Sequence, residues 1–173
     1  MSVKNAVDVE HLQGSEAIKK MQELVKAANI GMFATHLDQI PLDVRPMATQ
    51  QVDDDGNIWF LSGKSSHKNQ HIETDPRVHL FYANNSGYEY LTIYGTATIS
   101  RDRKKIDELW TDFAKAWFKE GKDDPELTLI KVKPEDAYYW DTKSNKMVSL
   151  IKILASVVTG ASSDNGIEGK LKV

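Results

Sequence analysis

Between Ile30 and Ser100 the chain is divided into short runs rich in β-branched and aromatic residues: 30–37, 42–52, 58–62, 77–83 and 90–100. Residues of this kind suit a pleated, half-buried surface, so five strands are predicted. Asp53-Asp54-Asp55-Gly56-Asn57 separates the second run from the third, and Asn84-Asn85-Ser86-Gly87 separates the fourth from the fifth. Turn chemistry of this type closes antiparallel hairpins. A parallel sheet would need a long crossover after each strand. Only residues 67–75, ending at Pro76, leave room for a helix inside this region.

Helical period appears on either side of it. Ala17, Ile18, Met21, Leu24, Val25 and Ala28 fall on one face after Ser15, a suitable N-cap, and Asn29 and Gly31 end the element. From Asp102 to Phe118 the same spacing recurs, with Ile106, Leu109, Trp110, Phe113 and Trp117 on one face. These rings are expected in the core, with a dimer seam or a planar ligand as the alternatives. Two further strands are expected at 127–132 and 137–141, interrupted by Pro134-Glu135-Asp136. In Tyr138-Tyr139-Trp140 the faces alternate, so at least one ring lies outside the core. Residues 147–158 have apolar residues at helical spacing and are expected as a core helix, and the polar residues 160–173 are expected to fray.

With 173 residues the chain fits one domain. The expected organisation is an N-terminal extension over 1–14, a domain over 15–160 and a polar tail over 161–173. The architecture implied is α+β, built on a small, mostly antiparallel barrel of six to seven strands with flanking helices.

Charge limits the partners. Twenty-two basic residues against twenty-five acidic ones leave a net charge of −3, so no long-range field draws the chain to nucleic acid, and any anion must be held by a local cluster. With no cysteine, disulfides, thiol nucleophiles and iron–sulfur centres are excluded. The first thirty residues have no apolar signal-peptide core and no run approaches the ~20 apolar residues of a membrane span, so a cytoplasmic protein without membrane contact is expected.

The strongest candidate cluster is Gly63-Lys64-Ser65-Ser66-His67-Lys68, where a strand passes into a helix. Unpaired amides, hydroxyls and ammonium groups at such a junction suit a phosphate. It is not a nucleotide-hydrolysing loop, because Ile58 stands where that motif needs its first glycine. Arg45-Pro46-Met47-Ala48-Thr49 is the second anchor: proline marks a strand edge, where a ligand can take the place of a neighbouring strand. No metal is expected. His67 and His71 are spaced i, i+4, but Lys68 replaces the glutamate of a zinc protease and no third ligand is evident. His36 and His79 are expected as structural histidines within strands.

Taken in order, Arg45-Pro46-Met47, Trp59-Phe60-Leu61-Ser62, Ser66-His67-Lys68, Asp75-Pro76-Arg77-Val78 with Leu80-Phe81-Tyr82, and Tyr94-Gly95-Thr96-Ala97 resemble the flavin-binding split-barrel family of pyridoxamine phosphate oxidase. Asp107-Glu108-Leu109-Trp110, Trp117-Phe118, Gly121-Lys122-Asp123-Asp124-Pro125 and Tyr139-Trp140-Asp141 look like its general stress protein branch. Together these motifs cover about 15–160.

The resemblance implies a split barrel and a homodimer with FMN at the interface. It also implies that Arg45, Lys68, Ser62 and Ser66 hold the phosphate, that Met47 and Ala48 line the ring with Phe60 and Leu61 in the adjoining strand, and that Trp110 and a partner's Trp140 lie near the site. A flavin-dependent oxidoreductase linked to stress response, using NAD(P)H or a small molecule, is the activity implied; a flavin sensor or storage module is the alternative. A deazaflavin or haem-derived ligand is the further alternative to FMN. Trp140 is followed by Asp141-Thr142-Lys143-Ser144-Asn145-Lys146 in place of the oxidases' Arg-Leu-His-Asp-Arg segment, so pyridoxamine phosphate oxidation itself is not expected.

Overall fold

The computed structural model describes residues 8–9, 11–142 and 166–172. After the short strands β1 (Asp8–Val9) and β2 (Leu12–Gln13) come helix α1 (Gly14–Ala28) and strands β3 (Ile30–Thr35), β4 (Asp43–Ala48), β5 (Gln51–Val52) and β6 (Ile58–Gly63). Helix α2 (His67–Thr74), strands β7 (Arg77–Asn84) and β8 (Glu89–Ser100), helix α3 (Arg103–Leu109), strand β9 (Leu127–Thr142) and strand β10 (Gly166–Lys172) follow. The architecture is α+β, with both predicted hairpins present as β5–β6 and β7–β8.

The sheet is open. Its strand order is β1-β10-β9-β8-β7-β3-β4, and β6 branches from β9. One edge of β9 carries β8. The other carries β6 along Leu127–Val132 and β10 along Ala137–Thr142. No ladder joins β4 to β6 among the described residues; β4 runs through Thr49 and Gln50 into β5, and the Gln50 amide donates to the Trp59 carbonyl at 2.9 Å. The barrel is therefore tied at one end of this seam and split at the other.

Core residues alternate along the strands. Phe33, Phe60, Val78, Leu80, Tyr82, Leu91, Ile93, Ala137 and Tyr139 point inward onto Ala17, Met21, Leu24 and Val25 of α1. Phe33 and Phe60 meet edge to face, 5.2 Å between centroids. The opposite face of β3, β4 and β9 leaves Ile30, Met32, Val44 and Trp140 exposed.

Several expectations change. Helix α1 starts at Gly14 with no side-chain cap, so Ser15 is not its N-cap; β2 is held in a ladder by β10, and the chain turns at Gly14, where φ is +58°. The run 42–52 divides into β4 and β5. The stretch Pro134-Glu135-Asp136 does not end a strand: β9 continues through it by a register shift opposite Tyr94 and Gly95, which accommodates a proline that cannot donate to the ladder.

The expected helix 102–118 is broken. Trp110 and Thr111 have extended backbone, so α3 stops at Leu109 and a separate 3-10 turn, Asp112–Ala116, begins. This reorients the second half of the segment. Ala114 and Phe118 pack on Leu127 and Leu129, while Phe113 and Trp117 are left exposed and not in the core.

The end of the chain does not fray as expected: residues 166–172 form β10, with Leu171 buried in the core and Lys170 exposed, because the ladder with β9 supplies backbone bonds that side-chain polarity does not forbid. Short strands and β10 raise the count of described strands to ten. The expected core helix 147–158 lies outside the described residues. No helix among the described residues is long and apolar enough to cross a membrane.

Candidate functional site

At the open end of the seam lies a cavity of about 520 Å³. Arg45, Pro46, Met47 and Ala48 of β4 form one side, Leu61, Ser62 and Gly63 of β6 another, with Ser66 and Lys68 at the start of α2. The 3-10 segment contributes Phe113, Ala114, Trp117 and Phe118. Seven expected site residues thus come together: Arg45, Met47, Ala48, Leu61, Ser62, Ser66 and Lys68. Three do not line it. Phe60 is buried on the core side of β6 and Trp110 packs partly against the Leu109–Phe118 cluster, while Trp140, expected at the site from a partner copy, is exposed on β9 of this chain.

Two cations share this cavity. The Arg45 guanidinium donates to the Phe33 carbonyl at 3.2 Å and to the Thr35 hydroxyl at 2.8 Å. Burial pulls its pKa down, partly offset by Asp43. The Lys68 ammonium is also held below its ordinary pKa, first by burial and then by Arg45. Among the described residues Lys68 has neither a carboxylate partner nor a side-chain hydrogen bond. Two like charges brought together with partial loss of water favour an anion between them.

The loop beneath them is braced from β9 and the residue that precedes it. The Ser65 amide and hydroxyl donate to Glu126 Oε2 at 2.9 and 2.6 Å, and these bonds lower the pKa of Glu126. Asn69, only 1% exposed, receives the Ser62 hydroxyl at 2.6 Å and the Ser66 hydroxyl at 3.2 Å, and donates to Thr128 at 3.0 Å. Thr128 closes the ring by donating to the Ser62 carbonyl at 2.8 Å. The Ser62 proton is therefore committed to Asn69 and its side chain is fully buried, so it braces the loop in this arrangement. Ser66 caps α2, whose first amides have no partner within the helix.

Beside Arg45 is a histidine pair that the sequence did not announce. His36 is not within a strand; it follows β3 at φ +54° and stacks on His71, centroids 3.9 Å apart and planes within 16°. Asp43 Oδ2 is 3.4 Å from His36 Nδ1 and 3.8 Å from His71 Nδ1. The three offer a metal-like set, yet near-parallel rings carry their lone pairs in parallel planes that do not converge on one ion, and Arg45 is close by. We assign no metal to it. The Thr35 hydroxyl that accepts from Arg45 is also hydrogen-bonded to His71 Nδ1, 3.0 Å away. Burial, His36 and Arg45 hold the His71 pKa low, in keeping with a neutral ring. His79, on β7, stacks on Phe81 at 4.4 Å.

Sequence reasoning missed Glu126, since nothing local ties it to Ser65, sixty-one positions away. For Phe113 and Trp117 the helical period favoured the core, with a planar ligand or a dimer seam as the alternatives, and the structure leaves both rings exposed on the cavity.

The family model described as pyridoxamine 5'-phosphate oxidase like matches residues 16–164. Over 96 residues, 54% of this chain and 68% of the relative, the chain is 31% identical to general stress protein 26 of Bacillus subtilis (strain 168). A general stress protein 26 relative from Jannaschia sp. CCS1 shares the fold with a TM-score of 0.75, at 24% identity, over 92% of this chain and 99% of that one. A general stress FMN/FAD binding protein from Xanthomonas citri aligns with a TM-score of 0.65 at 25% identity, over 75% of this chain and 92% of that one.

Proposed function

Because the chain belongs to the pyridoxamine 5'-phosphate oxidase like family, we propose that it binds a flavin mononucleotide in the cavity at the split seam and works as a homodimeric flavin oxidoreductase of the general stress protein type. The observation that carries this reading is the pairing of Arg45 with Lys68, two partly desolvated cations on one cavity, the second without an acidic partner among the described residues.

These residues fit the phosphate end of a flavin nucleotide. Arg45 and Lys68 supply charge and the start of α2 its free amides, and Ser66 can add a hydroxyl by giving up its long 3.2 Å bond to Asn69; each charge-assisted bond contributes roughly 1.5–3 kcal/mol. Strand β4 ends the sheet, so its outer edge has backbone donors and acceptors that no strand uses, and a polar ring edge can pair with them at Met47 and Ala48. Exposed Ile30, Met32, Val44 and Trp140 on the outer sheet face suit a second copy of the chain, which would bring its own Trp140 to the site. The bound flavin supplies the redox chemistry; the chain supplies binding, orientation and exclusion of water.

Addition of FMN to the purified chain tests this reading. A bound flavin spectrum with one FMN per chain is the expected result, and absence of uptake overturns it. Reduction of the bound flavin by NADH or NADPH separates an enzyme from a flavin-holding protein.

A further inference from the structure

Phe113 is 76% exposed and Trp117 67% exposed, and both line the cavity that holds Arg45 and Lys68. Their rings meet at a 62° tilt with centroids 5.3 Å apart. The fold does not require them there, because Ala114 and Phe118 of the same segment do its packing. Their position is nonetheless set by backbone bonds: the Ala114 amide donates to the Thr111 carbonyl, and the Trp117 and Phe118 amides both donate to the Ala114 carbonyl, each at 3.0 Å. Two large rings held in water beside each other leave a large hydrophobic gain unused in the isolated chain.

The cavity is therefore bipolar. Cations and a hydroxyl mark one part of its lining, and an aromatic pair marks another. A molecule that joins a phosphate to a flat ring matches both.

We propose that Phe113 and Trp117 form an aromatic platform for a planar heteroaromatic ring of the nucleotide whose phosphate Arg45 and Lys68 hold, one ring stacking on its face while the other, tilted by 62°, meets its edge. This rests on the flavin-nucleotide reading above and adds to it the residues that recognise the ring. The isoalloxazine of FMN and the adenine of FAD present the same flat π surface, and stacking on aromatic side chains accepts either.

The test uses the full chain with Phe113→Ala/Trp117→Ala and, as the conservative control, Trp117→Phe. FMN and FAD are titrated calorimetrically against each, and the oligomeric state is measured without nucleotide. Both side chains are exposed, so the variants are expected to keep the wild-type circular dichroism. The double variant is expected to lose affinity by about ten- to hundredfold, with Trp117→Phe retaining most of it. Equal losses for FMN and FAD place the isoalloxazine on the platform; a loss for FAD alone places the adenine there. Unchanged affinity for both nucleotides overturns the platform, and so does conversion of a wild-type dimer to monomers by the double substitution, which would make the pair a subunit seam. If the wild-type chain takes up neither nucleotide, the proposed function has failed; wild-type uptake with unaltered variants is failure of the platform alone.

Discussion

The Arg45 guanidinium donates to the Thr35 hydroxyl at 2.8 Å across the β3–β4 ladder. That bond orients the cation, and the same hydroxyl is hydrogen-bonded to His71 Nδ1 at 3.0 Å. A candidate phosphate ligand is thus coupled to a histidine from another element through one hydroxyl.

Arg45→Ala and Lys68→Ala are each expected to weaken FMN by about ten- to hundredfold, each tenfold step being ~1.4 kcal/mol. Riboflavin, which has no phosphate, should lose far less affinity. Calorimetric titration of both ligands checks this, and equal losses for the two would remove the phosphate assignment.

Lys68→Met is expected to raise the thermal midpoint of the ligand-free chain while weakening FMN, because the native fold holds this ammonium beside Arg45 at a cost. The rise should be a few degrees at most, since ~1 kcal/mol shifts a domain of this size by roughly 2–4 °C. Differential scanning calorimetry with and without FMN reads both effects.

Acidification should destabilise the ligand-free chain through His71. Its native pKa lies below the ordinary 6.5 because of burial, His36 and Arg45, opposed by Asp43. Below 6.5 the unfolded state takes up the proton first, so the stability contributed by the neutral ring is complete above 6.5 and is lost as pH falls towards the lower native value. His71→Gln is expected to flatten the decline in melting temperature between about pH 7 and 5, and an unaltered slope would refute the assignment.

Gly95→Ala should be strongly destabilising. A Cβ there would lie 2.2 Å from the Lys133 carbonyl oxygen, a backbone atom at the irregular crossing of β8 and β9. Overpacking of this kind costs about 1–3 kcal/mol or more, measurable by urea denaturation.

Asn69→Ala should lower stability by about 1–3 kcal/mol and weaken FMN, because it leaves the Ser62 and Thr128 hydroxyls without their buried partner and frees the loop that carries Ser66 and Lys68. Denaturant unfolding and FMN titration on the same variant test both parts.

Much of this protein was legible as sequence. The strand runs, the Asp53–Asn57 and Asn84–Gly87 turns and the short helix before Pro76 are local signals, governed by side-chain alternation and backbone preferences within a few residues. Arg45, Ser66 and Lys68 were legible for the same reason, since a strand-to-helix junction and a proline-marked edge announce themselves locally. The tertiary structure alone decided where those pieces meet. The two-residue break at Trp110–Thr111 turned Phe113 and Trp117 from a predicted core face to the cavity wall, and β9 drew in β10 from beyond an intervening segment. The seam between β4 and β6, and with it the nearness of Arg45 to Lys68, arises from ladders between residues distant in the chain; such pairings are chosen by the packing of the whole barrel, and no local period encodes them.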